Sequence, residues 1–296
     1  MPLDERAVVI SNTCVARDTY EIELLAPVIA SEGKPGQFVH AHVAPTSAPL
    51  LRRPFSIYDA DPLSGKVWLL YRVRGLGTGM MACLRPGDEM DMMGPLGRGF
   101  TLPGCEHPCP ALGASVLVGG GVGIAPLVYL ARSLVKAGAS PVVLYGASSQ
   151  EDLAARGRLS DTGAPYHAAT LDGSAGFRGT VVDLLESRMW SASPRRKSPG
   201  RLERSAAASP PSFIYTCGPE QMMATVAAYA QARGTPGEAS LEAHMACGVG
   251  ACLGCARKLK PSAHGEIGYA KICRDGPVFP LDAVEFDAAG GEEARP

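Results

Sequence analysis

The chain has 296 residues, 46% of them hydrophobic, which suffices for a sizeable core and fits two domains, with room for a small third module, better than one. Lys plus Arg total 28 and Asp plus Glu 29, so overall charge speaks for no nucleic acid and no anionic membrane as partner; a protein or a small molecule is expected instead. The first residues, with Asp4, Glu5 and Arg6 ahead of any apolar run, lack the pattern of a signal peptide, and a cytoplasmic protein is expected. The longest uncharged stretch, 108–131, holds five Gly and three Pro and reads as a buried strand, turn and helix rather than a membrane span.

From residue 7 to about 99 short apolar or β-branched runs alternate with Pro and Gly: AVVI, YEIELLAP, GQFVHAHV, SIYDA, KVWLLYRV and DEMDMMG. Six such runs at short spacing predict a small antiparallel barrel over 1–103, with a hairpin loop at 61–66. Within it Arg53, Pro54, Phe55 and Ser56 open one strand, and Gly75, Leu76, Gly77, Thr78 and Gly79 follow another. An Arg clamps phosphate, an aromatic stacks on a flat ring and a hydroxyl bonds a ring nitrogen, so together the two pieces could hold a flavin. Either piece alone is ordinary barrel sequence.

Over 101–113 the Pro, Gly and Cys content rises, which marks a boundary, and beyond it buried strands alternate with helical segments. SVLVGG, PVVLYGA, PYHAAT and FIYTC are the predicted strands; APLVYLARSLVKAG and PEQMMATVAAYAQARG have helical periodicity. The pattern predicts a doubly wound α/β domain with a parallel sheet over 110–238. Its interruption at 190–211, rich in Ser, Pro, Ala and Arg, reads as a disordered surface insertion.

Gly119, Gly120, Gly121 and Gly123 sit directly after the strand SVLV and before Pro126 and a helix. Glycines admit close backbone approach to a pyrophosphate, whose charge suits the free N–H groups of a helix start. Pro126 stands where a strict GxGxxG has its third Gly, so a structural glycine turn remains the alternative. Cys217, Gly218 and Pro219 repeat the layout of strand, turn and helix, and in a parallel sheet they would face the same crevice. Cys217 is then a candidate neighbour of a nicotinamide, or a buried structural thiol.

Nine Cys in a reducing compartment do not read as a disulfide framework. Cys14, Cys83, Cys105 and Cys109 are scattered, whereas Cys247, Cys252, Cys255 and Cys273 crowd into the stretch 240–285, taken as a separate module. Their C-x4-C-x2-C spacing with a distant fourth Cys is that of plant-type 2Fe-2S clusters, in which each iron takes two thiolates beside its bridging sulfides. Small residues between them let the backbone curl around the cluster. A structural zinc site, the basis of a non-enzymatic interaction protein, is the alternative.

In this order the pieces resemble the ferredoxin-NADP reductase superfamily. Together with the phrase KICRDGPVF at 271–279, the cluster loop resembles the electron-transfer subunits of NAD-dependent, class 1B dihydroorotate dehydrogenases. That resemblance implies FAD contacts from Arg53, Pro54, Phe55, Ser56, Leu70, Tyr71, Arg72, Gly77 and Thr78, and cluster ligation by the four clustered cysteines. It also implies an FMN-containing catalytic subunit as partner, in a heterotetramer of two copies each, where dihydroorotate is oxidised. Electrons then pass through the 2Fe-2S cluster and FAD to NAD, and no catalytic acid or base is expected in this chain. The insertion at 190–211 and an acidic GGEE tail depart from the family pattern without touching a motif. A related NADPH-linked reductase subunit of a ferredoxin, hydrogenase or bifurcating complex is the nearest rival. The segment ASSQED at 147–152 has acidic residues and no Arg for a 2′-phosphate, which favours NAD, although Arg156 and Arg158 stand close by.

Overall fold

The computed structural model describes residues 3–43, 49–103, 115–190, 211–261 and 268–286. Except for its two end residues the expected insertion at 190–211 lies outside these, as do Cys105, Cys109 and the GGEE tail.

The first half forms a closed barrel of strands β1 (Leu3–Ala16), β2 (Thr19–Leu25), β3 (Phe38–His42), β4 (Arg53–Asp61), β5 (Lys66–Arg72) and β6 (Glu89–Leu96). Their order is β1-β2-β5-β4-β3-β6, with short helices α1 (Pro27–Glu32) and α2 (Leu76–Ala82) between strands. Alternation turns Val39, Ala41, Phe55, Ile57, Val67, Leu69, Met90 and Met92 into one core. A bulge between Ile57 and Asp59 shifts the phase of β4, so that Tyr58 and Asp59 both leave that core.

Part of the outer face of the barrel is buried as well. Tyr58 and Leu70 join the core under helix α3 (Ala125–Lys136), which follows strand β7 (Ser115–Gly120). Phe38 and Leu96 join a second core that holds Cys255, Ile272 and Cys273.

The remaining elements are β8 (Val142–Ala147), α4 (Arg156–Asp161), β9 (Tyr166–Thr170), β10 (Phe177–Arg178), α5 (Val181–Trp190), β11 (Phe213–Cys217), α6 (Glu220–Ala232) and β12 (Gly237–Ser240). Then come β13 (Ala256–Lys258), β14 (Tyr269–Lys271), α7 (Ile272–Asp275) and β15 (Val278–Pro280). Seven strands make one sheet in the order β10-β9-β8-β7-β11-β12-β15. All its pairings are parallel except that of β15, which runs antiparallel to β12. Apolar residues of α3 and α4 cover one face, those of α5 and α6 the other, the doubly wound arrangement expected. Strand β15 comes from the C-terminal stretch and stitches it to this sheet.

A buried ionic cluster joins barrel and sheet domain. Asp59, fully buried, lies 2.5 Å from Arg132 of α3 and 3.2 Å from Arg158 of α4. Arg158 also reaches Glu21 of β2 at 2.6 Å and lies over the Trp68 ring at 4.3 Å. On the far side the Thr101 N–H and hydroxyl donate to the Glu238 carboxylate at 2.9 and 2.6 Å.

Candidate functional site

Chain order reverses in the sheet between β7 and β11, the switch point at which open α/β sheets leave a crevice beyond the strand ends. Gly119 pairs in register with Cys217 there, so the glycine loop and the Cys-Gly-Pro turn face one another. The approach is close: a Cβ on Gly123 would lie 2.5 Å from Gly218 Cα, and one on Gly120 would lie 2.8 Å from Met222 Sδ and from Pro219 Cδ. Gly121 and Gly218 take φ of 55° and 149°, conformations that glycine adopts most readily.

Cys217 is buried, and burial raises its thiol far above the ordinary value, with the charge of Glu242 adding to this and Ser240 opposing it. It is a neutral group, not a nucleophile. Glu242 is exposed. Desolvation by the surrounding protein raises its carboxyl above the usual range, and the charge of Arg74 opposes the rise. Sequence reasoning missed Ser240 and Glu242, because neither belongs to a motif; only their place at the end of a strand beside Cys217 brings them in.

At the sheet edge the loops after β8 and β9 are tied together: Gln150 N–H donates to Ser174 Oγ at 2.7 Å and Asp172 N–H to the Ser148 carbonyl at 3.3 Å. A recess of about 630 Å³ beside them is lined by Glu21, Gln150, Glu151, Arg156, Arg158 and Asp161 among others. Arg158, left open as a phosphate ligand by the sequence, is committed to Asp59 and Glu21.

On the barrel, Arg53 Nη1 donates to the Leu51 carbonyl at 2.7 Å, and its Nε lies 3.5 Å from the Cβ position of Gly77. Thus the two barrel motifs come together. Phe55 and Tyr71 do not present their rings outward as a stacking role requires. Both belong to the barrel core, 5.9 Å apart edge to face, and Tyr71 donates its hydroxyl to Asn12 at 2.9 Å. Pro54 and Ser56, the alternate residues, are half-buried on the outer face, opposite His40 and Phe38 of β3. Leu70 is buried there, Arg72 is exposed, and the Thr78 hydroxyl accepts the N–H groups of Arg74 and Gly75 at the start of α2.

The four C-terminal cysteines gather as two pairs. Cys252 N–H donates to Cys247 Sγ at 3.4 Å, and Cys273 N–H donates to Cys255 Sγ at 3.5 Å. Burial raises the Cys247 thiol, but the N–H groups of Cys252, Val249 and Ala251 with the Cys252 thiol outweigh it and bring it down to about 6. Burial, then the neighbouring Cys255, push the Cys273 thiol up to about 12. The turns depend on positive φ at Gly248 (70°), Leu253 (60°) and Gly250 (81°). Cys255 and Cys273 are buried, Cys252 is exposed. Two thiol pairs are the donor set that the two tetrahedral irons of a 2Fe-2S cluster require.

Residues 242–285 match the iron-sulfur cluster binding domain of dihydroorotate dehydrogenase B, and residues 117–228 match an oxidoreductase NAD-binding domain. The electron transfer subunit of dihydroorotate dehydrogenase B (NAD(+)) from Desulforamulus reducens is 41% identical over 283 residues, 95% of this chain and 98% of that one. Its counterpart from Geobacillus thermodenitrificans is 38% identical over 275 residues, 93% and 96% of the two chains. Among solved structures, an NADH-dependent reduced ferredoxin-NADP oxidoreductase superposes with a TM-score of 0.76 at 26% identity, covering 95% of this chain and 90% of that one. An Amycolatopsis cytochrome P450 reductase superposes with a TM-score of 0.58 at 25% identity, covering 78% and 67%. Barrel, switch-point crevice and paired cysteines define the class, an NAD-linked flavin and iron-sulfur oxidoreductase subunit. Within that class the chain belongs to the family of electron transfer subunits of dihydroorotate dehydrogenase B (NAD(+)).

Proposed function

We propose that this chain accepts electrons from the FMN of a separate catalytic subunit that oxidises dihydroorotate, and delivers them to NAD. The observation that carries this reading is the packing of the paired-cysteine loop on the outer barrel face, beside the strand that bears Pro54 and Ser56. When bound, a 2Fe-2S cluster supplies one-electron transfer and FAD supplies exchange between one- and two-electron carriers.

The chain's own residues bind and orient. Cys247 and Cys252 take one iron, Cys255 and Cys273 the other. Arg53, Pro54, Ser56, Leu70, Arg72, Gly77 and Thr78 hold FAD from the outer barrel face, to which Phe55 and Tyr71 contribute backbone groups. Gly119, Gly120, Gly121, Gly123, Gly218 and Pro219 shape the dinucleotide crevice, and the neutral Cys217 thiol borders the nicotinamide. Residues 1–103, 110–238 and 240–285 serve as flavin, nucleotide and cluster units. The cluster loop exposes Cys252 together with Val249 and Leu253, 40% and 61% accessible, which supports a partner docking there. A heterotetramer of two copies of each subunit, in the cytoplasm, completes the proposal.

Anaerobic purification with and without a co-expressed catalytic partner tests it, by visible spectroscopy, iron analysis and NADH titration. One FAD and one 2Fe-2S cluster per chain, both bleached by NADH, and by dihydroorotate only with the partner present, are expected. Cofactors that dihydroorotate never reduces would transfer the chain to the ferredoxin, hydrogenase or bifurcating reductases.

A further inference from the structure

His40 lies in the middle of β3, on the outer face of the barrel, with Pro54 opposite on one neighbouring strand and Met93 on the other. It is fully buried, and neither ring nitrogen has a hydrogen-bond partner among the described residues. An imidazole always carries at least one N–H donor, and burying that donor unpaired is costly. A residue needed there only for packing would be apolar, as Phe38 is on the same face. The ring faces the cluster loop: a Cβ on Gly248 would stand 2.6 Å from His40 Nδ1 and 3.2 Å from Met93 Cε. Gly248 follows Cys247 directly, and its φ of 70° together with this contact leaves room for no side chain. Arg52 Nη1 donates to the backbone carbonyl of His40 at 3.3 Å, and the Arg52 backbone lies near enough to the ring to favour its protonated form without meeting hydrogen-bond geometry.

We propose that His40 donates a ring N–H to a sulfur of the 2Fe-2S cluster on its Cys247 side, so that the flavin-bearing barrel sets the reduction potential of the cluster. This rests on the assignment of Cys247, Cys252, Cys255 and Cys273 as cluster ligands. The sulfides and thiolates of such a cluster are acceptors only. On the loop side, the Cys252 N–H already donates to the Cys247 sulfur at 3.4 Å. His40 is a donor from the opposite, barrel side, on the strand next to Pro54 and Ser56. Hydrogen bonds to cluster sulfurs stabilise the more negative, reduced state and raise its potential. Removing the donor therefore lowers the potential without removing a ligand.

The test uses the complete complex with its catalytic partner, the chain labelled with 15N in its histidine rings. Pulsed EPR of the reduced cluster is recorded for the wild type, H40Q and H40F, with iron content and an EPR-monitored redox titration for each. The wild type is expected to show a histidine nitrogen coupling that both variants lose. H40F is expected to titrate at a lower potential, while H40Q, which keeps an N–H donor, stays close to the wild type. A normal two-iron signal without the coupling in the wild type overturns the role of His40 alone, as does an unchanged potential in H40F. The absence of any two-iron signal in the wild type overturns the ligand assignment and the proposal with it. Should H40F fail to assemble, H40Q decides: loss of the coupling at full iron content supports the hydrogen bond, and its persistence refutes it.

Discussion

Cys217 sits at the end of β11 as a thiol that its surroundings keep protonated, which has a consequence for stability. In the unfolded chain it ionises at about pH 8.5, the ordinary Cys value. In the folded chain burial raises that point well beyond it, so the folded state holds a proton that the unfolded state gives up. Stability from this site is therefore fully present below the unfolded value and is lost as pH rises toward the folded one, by about 1.4 kcal/mol per pH unit. C217S removes the titrating group. Melting curves at pH 8 and pH 10 are expected to fall less steeply for C217S than for the wild type; equal slopes would mean that the thiol ionises freely. The same protonation implies that NADH-driven reduction shows no step from this residue near neutral pH.

Between elements, the ionic cluster of Asp59, Arg132 and Arg158 fastens β4 to α3 and α4. Replacing Asp59 by Asn leaves two guanidinium groups, each about four-fifths buried, facing one another without their shared carboxylate. Breaking a buried pair in this way costs about 3–5 kcal/mol. Denaturant unfolding of D59N should report that loss, whereas K66A, at the half-exposed Lys66–Glu23 pair, should cost about 1 kcal/mol or less. The barrel strands that carry this contact were legible in the sequence because period-two alternation and Pro or Gly punctuation set them off. The phase within β4 was not, since the bulge after Ile57 leaves no mark in composition. Phe55 read as a stacking group although its ring turns inward, because a run such as RPFS does not say which of its alternate residues faces the core. Strand β12, GEAS, has no β-branched residue and exists because β11 and β15 pair with it on both sides. Strand β15 has three residues and a partner about forty positions away, too little for a local pattern. Helix α5 runs up to the Ser- and Pro-rich stretch, whose composition masked it. The clustering of Cys247, Cys252, Cys255 and Cys273 was legible because their short spacing stands out in the chain itself. His40 and Glu242 were not, since each matters only through neighbours distant in sequence.

At the scale of the whole molecule, the cluster loop has to face both inward and outward. Leu253 stands between Cys252 and Cys255, 61% exposed, at a φ of 60° that leucine rarely adopts. Asp tolerates that conformation better, so L253D should fold at least as well as the wild type. A charge in an apolar contact at the level of a binding hot spot costs about 2 kcal/mol, roughly a 30-fold loss of affinity. Dihydroorotate-dependent reduction at limiting partner concentration should drop accordingly, while NADH-driven reduction of the same chain stays unchanged. Equal effects on both would show that Leu253 supports the loop and not the partner. The inward side of the loop sets what metal removal does. In small metal modules binding free energy is folding free energy, and chelation unfolds them. Here Cys255, Ala270, Ile272 and Cys273 share a core with Leu184, Met223, Val226 and Tyr229 of the sheet domain, and β15 is hydrogen-bonded into its sheet. Stripping iron under reducing conditions should therefore leave the main melting transition and the far-ultraviolet circular dichroism in place. Faster hydrogen exchange is expected only at 247–258 and 268–275, with the barrel strands unchanged. Disappearance of the main transition on chelation would show instead that the cluster, not the shared core, holds the sheet domain together.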